Sequence, residues 1–117
     1  MYKINKEFQF SSSHQLEGLH ESHPCSRLHG HNYVANFYFQ TKELNEVGFV
    51  IDYRALSGIK DYLDSTFDHR HLNDVLPFNP TAENMAKYLY DHFKAEFHQL
   101  YKVEISETPK TKAVYEP

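Results

Sequence analysis

At 117 residues the chain is long enough for one domain, expected to span 1–117, and a hydrophobic content of 40% excludes disorder. A net charge of −4 with no Lys/Arg cluster argues against nucleic acid as the main partner, and no apolar run approaches the ~20 residues of a membrane span. One cysteine excludes an internal disulfide framework, and a polar N-terminus shows no signal peptide, so the expectation is a small cytoplasmic protein.

Tyr2 to His14 alternates, with Tyr2, Ile4, Phe8 and Phe10 on one parity and polar residues on the other, interrupted only by Lys6. This predicts a strand with one buried face, and continuing the alternation through Ser12 puts His14 on that face. Residues 15–28, with Gly18 and Pro24, read as a loop returning to the sheet. A second strand follows, in which His29, His31, Tyr33, Ala35, Phe37 and Phe39 share a parity.

Gly48 to Asp52 is a short apolar stretch leading to a helix, marked by Leu56, Ile59, Leu63 and Phe67. Residues 68–80 read as a loop carrying Asp68, His69, His71 and Asn73. Thr81 is a natural N-cap for a second helix with Ala82, Met85, Leu89, Phe93 and Phe97 on one face. Val103, Ile105 and Glu107 share a strand parity, and a last short strand holds Val114 and Tyr115. The predicted order is β-β-α-α-β-β, an α+β layer of two helices on one face of an antiparallel sheet.

Antiparallel pairing of the first two strands would bring His14, His29 and His31 together at one end of the hairpin, on the buried side. Three inward histidines with an open fourth position are what a catalytic zinc site needs. Cys25 would either close such a site as a fourth ligand or stand beside the metal. Asp68-His69 suits a carboxylate-oriented imidazole, or equally a capped turn. Glu107 is either a buried carboxylate awaiting a ligand with two adjacent N–H donors or a solvated strand end.

Together these residues resemble the 6-pyruvoyl-tetrahydropterin synthase family. The motifs that carry the resemblance run the length of the chain. They are Phe10-x-x-x-His14, Cys25-x-x-x-His29-Gly30-His31, Val50-Ile51-Asp52-Tyr53, Asp68-His69 with Leu72-Asn73, Pro80-Thr81-x-Glu83-Asn84, and Glu107-Thr108. The three-residue gap from Cys25 to His29 is similar to the branch that makes 6-carboxytetrahydropterin for queuosine and deazapurine biosynthesis, whereas the pyruvoyl-forming branch usually has a longer gap. Where the family often has alanines before the first histidine, this chain has Ser12 and Ser13.

The resemblance implies a tunnelling fold whose subunits join their sheets into a barrel, as a homohexamer of two stacked trimers with active sites between subunits. It implies zinc on His14, His29 and His31, with Cys25 as the thiolate that takes a side-chain proton. His69, oriented by Asp68, would relay protons; Glu107 would anchor the pterin, and Thr81 would border it. The implied reaction converts 7,8-dihydroneopterin triphosphate to 6-carboxy-5,6,7,8-tetrahydropterin, acetaldehyde and triphosphate. The alternative is triphosphate elimination without C–C cleavage, giving 6-pyruvoyltetrahydropterin. A non-catalytic pterin- or metal-binding protein of the same fold is a third reading. Arg27, Arg54 or lysines of other subunits are the candidates for holding the triphosphate.

Overall fold

Alternation builds the long hairpin that organises the molecule. In a computed structural model describing residues 1–117, β1 (Tyr2–His14) pairs antiparallel with β2 (His29–Thr41) along its whole length. Residues directly opposite one another share a face. Phe10 therefore meets Tyr33, Ser12 meets His31, and His14 meets His29. The face bearing Phe8, Phe10, Tyr33, Ala35, Phe37 and Phe39 is buried, and Phe10 stacks on Tyr33 with ring centroids 5.0 Å apart.

Asp52 caps a 3₁₀ turn over Tyr53–Leu56, accepting from the Arg54 N–H, and this turn runs into α1 (Ser57–Thr66). Leu56, Ile59, Leu63 and Phe67 are all buried, although Phe67 lies just past the helix end. The expected loop over 68–80 is partly ordered instead. Arg70–His71 forms β3, parallel to Ser12–Ser13 of β1, and α2 (Leu72–Val75) adds one helical turn. The strand pattern is too short to carry periodicity, and only the burial of Leu72 and Leu76 under the sheet gives it a fixed place.

Thr81 caps α3 (Ala82–Lys94), its hydroxyl accepting from the Asn84 N–H at 3.1 Å. Met85, Ala86, Leu89 and Phe93 face the sheet, while Phe97 joins the same core from beyond the helix. β4 (Leu100–Ser106) returns beside β2, and β5 (Ala113–Tyr115) completes the sheet in the order β3-β1-β2-β4-β5. Every pairing is antiparallel except β1 with β3. β1 is bonded on its outer side from Ser11 to Ser13, and the edge before Ser11 has no strand partner. The hairpin outruns the layer covering it, and the chain measures 55 × 25 × 25 Å.

Candidate metal centre

His14 ends β1, His29 opens β2, and His31 follows one pleat later on the same face. The glycine between them is required by close approach. A Cβ on Gly30 would sit 3.2 Å from the Ser12 carbonyl oxygen. One ring nitrogen from each histidine lies within 4.8 Å of the other two.

The hydrogen bonds around these rings fix which nitrogens converge. Nδ1 of His14 donates to the Pro80 carbonyl at 2.8 Å, and Nδ1 of His29 donates to the Arg27 carbonyl at 2.7 Å. A neutral imidazole has one N–H, so spending it at Nδ1 leaves a lone pair on Nε2. The two Nε2 atoms nevertheless stand 2.9 Å apart. Two lone pairs at that distance repel unless a proton or a cation lies between them. Burial pushes the His14 pKa down from its ordinary value, and its histidine neighbours push the same way; the Pro80 carbonyl and Glu107 oppose them. Burial thus disfavours a proton on the His14 ring, and the three histidines together can hold a metal ion. Carbonyls that orient ligand imidazoles from behind are the usual support of such sites.

Glu107 follows β4 directly. Its Oε2 lies 3.4 Å from His14 Nε2 and 3.2 Å from His31 Nε2. The strand parity thus carries past Ser106 and turns the carboxylate toward the histidines. On its other side Glu107 lines a cavity of about 350 Å³ with Ala82, Glu83, Ile105 and Thr111. Thr81 keeps its hydroxyl on the α3 cap, and the two residues after it border the cavity.

Cys25 sits half-buried in a 3₁₀ turn over Pro24–Ser26, a free thiol outside the converging set. Its N–H donates to His23 Nδ1 and its carbonyl accepts from the Leu16 N–H. The loop that carries it is anchored by two asparagine carboxamides. Asn73 accepts from the Gln15 N–H at 2.8 Å and donates to the Gln15 carbonyl at 2.7 Å. Asn79 does the same for Glu17, at 2.9 and 3.1 Å. The two side chains continue the rungs of the β1–β3 ladder where backbone pairing stops.

Asp68 and His69 lie at the β1 edge. Asp68 Oδ1 accepts from the Ser11 N–H at 2.8 Å, and its Oδ2 accepts from His69 Nδ1 at 2.8 Å. The Ser11 amide, then the His69 ring, hold the Asp68 pKa below its usual value. His69 adopts a φ of 57°, a left-handed conformation that a side chain disfavours by roughly 1–2 kcal/mol. Its side chain is exposed and lines a groove of about 500 Å³ with Ser11, Ser13, Asn32 and His71. Gly30 and His31 of β2 border the same groove, whose Ser11, Ser13 and Asn32 side chains alternate along the strands with those of His14, His29 and His31. The Asp68–His69 pair lies outside the converging set of His14, His29 and His31.

The serines that replace alanines both find partners. The Ser12 hydroxyl donates to the Phe67 carbonyl, and Ser13 Oγ lies 3.0 Å from His71 Nδ1. Other contributors were not visible in the sequence as site residues: the Pro80 and Arg27 carbonyls, the two asparagines, and the Tyr33 hydroxyl, 3.1 Å from His14 Nδ1. Only Tyr33 left a signal, since it shares the histidines' parity.

The family model described as 6-pyruvoyl tetrahydropterin synthase matches residues 3–117. The chain belongs to this family. It is 31% identical to the 6-carboxy-5,6,7,8-tetrahydropterin synthase of Bacillus subtilis, across 99% of this chain and 86% of that protein. It is 35% identical to the Synechocystis protein of the same name, across 98% and 93%. The solved structure of Caenorhabditis elegans 6-pyruvoyl tetrahydropterin synthase matches with a TM-score of 0.87 at 29% identity, covering 99% of this chain and 95% of that one. The expected α+β tunnelling fold is the fold observed. As a member of the pterin synthase family, the chain brings to one place the three histidines that can hold a metal. No helix is long and apolar enough to cross a membrane.

Proposed function

We propose that this pterin synthase is a zinc enzyme converting 7,8-dihydroneopterin triphosphate to 6-carboxy-5,6,7,8-tetrahydropterin, acetaldehyde and triphosphate. The observation that carries the metal half is the pair of Nε2 lone pairs held 2.9 Å apart by backbone carbonyls, with His31 beside them. Imidazole donors suit zinc, which when bound acts as a Lewis acid that makes neighbouring C–H and O–H protons more acidic. The names of the most similar bacterial relatives, and the three-residue gap from Cys25 to His29, favour the carboxy-forming outcome.

The chain's own residues then divide the work. Glu107, bordering a cavity large enough for a bicyclic ring, would accept the ring N–H and amino group of the pterin as a charge-assisted pair. Cys25, on its clamped loop, would take a side-chain proton. His69 has its Nδ1–H committed to Asp68, which leaves Nε2 free to accept and return protons.

The absence of Asp68 and His69 from the converging set is consistent with an active site shared between subunits, with one chain's Asp68–His69 serving another chain's metal. Self-assembly into a homohexameric barrel would also pair the open β1 edge and cover the exposed Tyr2, Phe49 and Tyr53. A compact chain of this length would have a radius of gyration of about 13.4 Å; this one has 15.4 Å. Such an elongated shape suits a subunit rather than a free monomer.

The deciding experiment is product analysis with dihydroneopterin triphosphate, with and without chelator. Metal-dependent acetaldehyde release is expected. Release of triphosphate with 6-pyruvoyltetrahydropterin and no acetaldehyde would assign the alternative reaction, and no turnover with restored zinc would end the enzymatic reading.

A further inference from the structure

Glu107 stands beside two of the three converging histidines. For bonds of about 2.0–2.1 Å, the edge between two ligand atoms of a tetrahedron is about 3.3–3.4 Å. The single oxygen Oε2 lies 3.4 Å from His14 Nε2 and 3.2 Å from His31 Nε2. The carboxylate thus keeps ligand-to-ligand spacing with two of the three histidines. Its side chain is half-buried, 27% exposed, against the histidines. We propose that Glu107 is a fourth metal ligand in the substrate-free protein, closing the site as a three-histidine, one-carboxylate set.

This deepens the proposed function and rests on it for the substrate step. A carboxylate in the fourth position would lower the net charge of a bound metal centre. Glu107 also lines the cavity beside Ala82 and Glu83, so the same carboxylate reaches either the histidines or a ring in that cavity. It follows β4 and precedes the Thr108–Thr111 turn, where the two threonine hydroxyls lie 2.9 Å apart. A pterin that claims Glu107 with its N–H donors would free the fourth position for the substrate's hydroxylated side chain. Ring binding would thereby gate the metal. Linkage requires the reverse effect too: metal occupancy weakens binding of a bare pterin ring by the same factor that the ring weakens metal.

The test uses the full chain stripped of metal, and compares wild type with Glu107→Gln and Glu107→Ala. Zinc affinity is measured by chelator competition. It should fall at least by the roughly 10–100-fold that loss of a ligand's supporting partner costs. With cobalt in place of zinc, the visible absorption of wild type should report four-coordination and change in both variants. Unsubstituted pterin, which has no side-chain hydroxyls, should change the wild-type cobalt spectrum. Zinc affinities within twofold across all three proteins, with one shared cobalt spectrum, would overturn the inference. A fall in zinc affinity without any response to pterin would uphold the fourth ligand and count against the pterin reading of the cavity instead. The isosteric glutamine variant, checked by circular dichroism, separates ligand loss from misfolding.

Discussion

On the outer face of the sheet, Asn5 donates to Asn36 at 3.0 Å, Asn36 to the Tyr38 hydroxyl at 3.3 Å, and Tyr38 to Glu104 at 2.6 Å. Lys102 and Lys112 approach the same carboxylate at 3.9 and 3.7 Å, and Lys102 lies 4.0 Å over the Tyr38 ring. Each donor there meets an acceptor, and each charge meets its opposite. At one end of the covered face, three histidines aim like atoms at one point, with a carboxylate beside them. Both clusters are polar and partly buried in one sheet. The first is complete in itself and acts on stability, whereas the second is a donor set that can hold a metal ion.

That contrast is open to direct attack. The largest effect is expected from His29→Ala, which removes one converging donor at a half-buried strand start. The variant should fail to retain zinc through dialysis and lose several kcal/mol of transition-state stabilisation, roughly 10³-fold in turnover. Its metal-free unfolding midpoint should stay close to that of the wild type. Elemental analysis and urea unfolding check the two halves, and zinc retained at full stoichiometry would break the comparison at its functional side.

Tyr38→Phe tests the other cluster. Removing the hydroxyl leaves the buried Glu104 carboxylate short of a charge-assisted bond, at a cost of about 1.5–3 kcal/mol in urea unfolding. Zinc affinity should not change. Tyr33→Phe is the intermediate case, because its hydroxyl stands behind His14 rather than in front of it. Zinc affinity should weaken by about tenfold, at the low end for a ligand's outer partner. If this variant matched His29→Ala, the division between converging and supporting groups would be drawn in the wrong place.

Period-two alternation was enough to foresee His14, His29 and His31 on one face, because a fully paired antiparallel hairpin leaves register little freedom. Glu107 was legible for the same reason, being in phase with Val103 and Ile105. Phase says nothing about what a chain's carbonyls do, so the supports at Pro80 and Arg27 were invisible. The turn through Asp68 and His69 hid β3 and α2, since two strand residues and one helical turn are shorter than either period. Nor does any local pattern announce that Asn73 and Asn79 replace backbone rungs for Gln15 and Glu17. Such bonds join residues 58 and 62 positions apart. Composition favours neither partner until the fold has brought them together.

The smallest expected effect is one of pH, and it is read at the complete cluster. Burial, then the hydrogen bond to Glu104, pushes the Tyr38 hydroxyl up to about 12. An unfolded chain releases that proton near the ordinary value of about 10. Between these values the folded state holds a proton that the unfolded state has lost, so stability falls as pH rises. The contribution is fully present below about pH 10 and disappears as pH passes through 12. Tyr33 is also pushed up by burial, so only the difference between wild type and Tyr38→Phe isolates this site. Urea midpoints across the alkaline range should converge for the two proteins as pH rises. Parallel curves would show that Glu104 does not depend on the Tyr38 proton, and that the outer cluster is less complete than its hydrogen bonds imply.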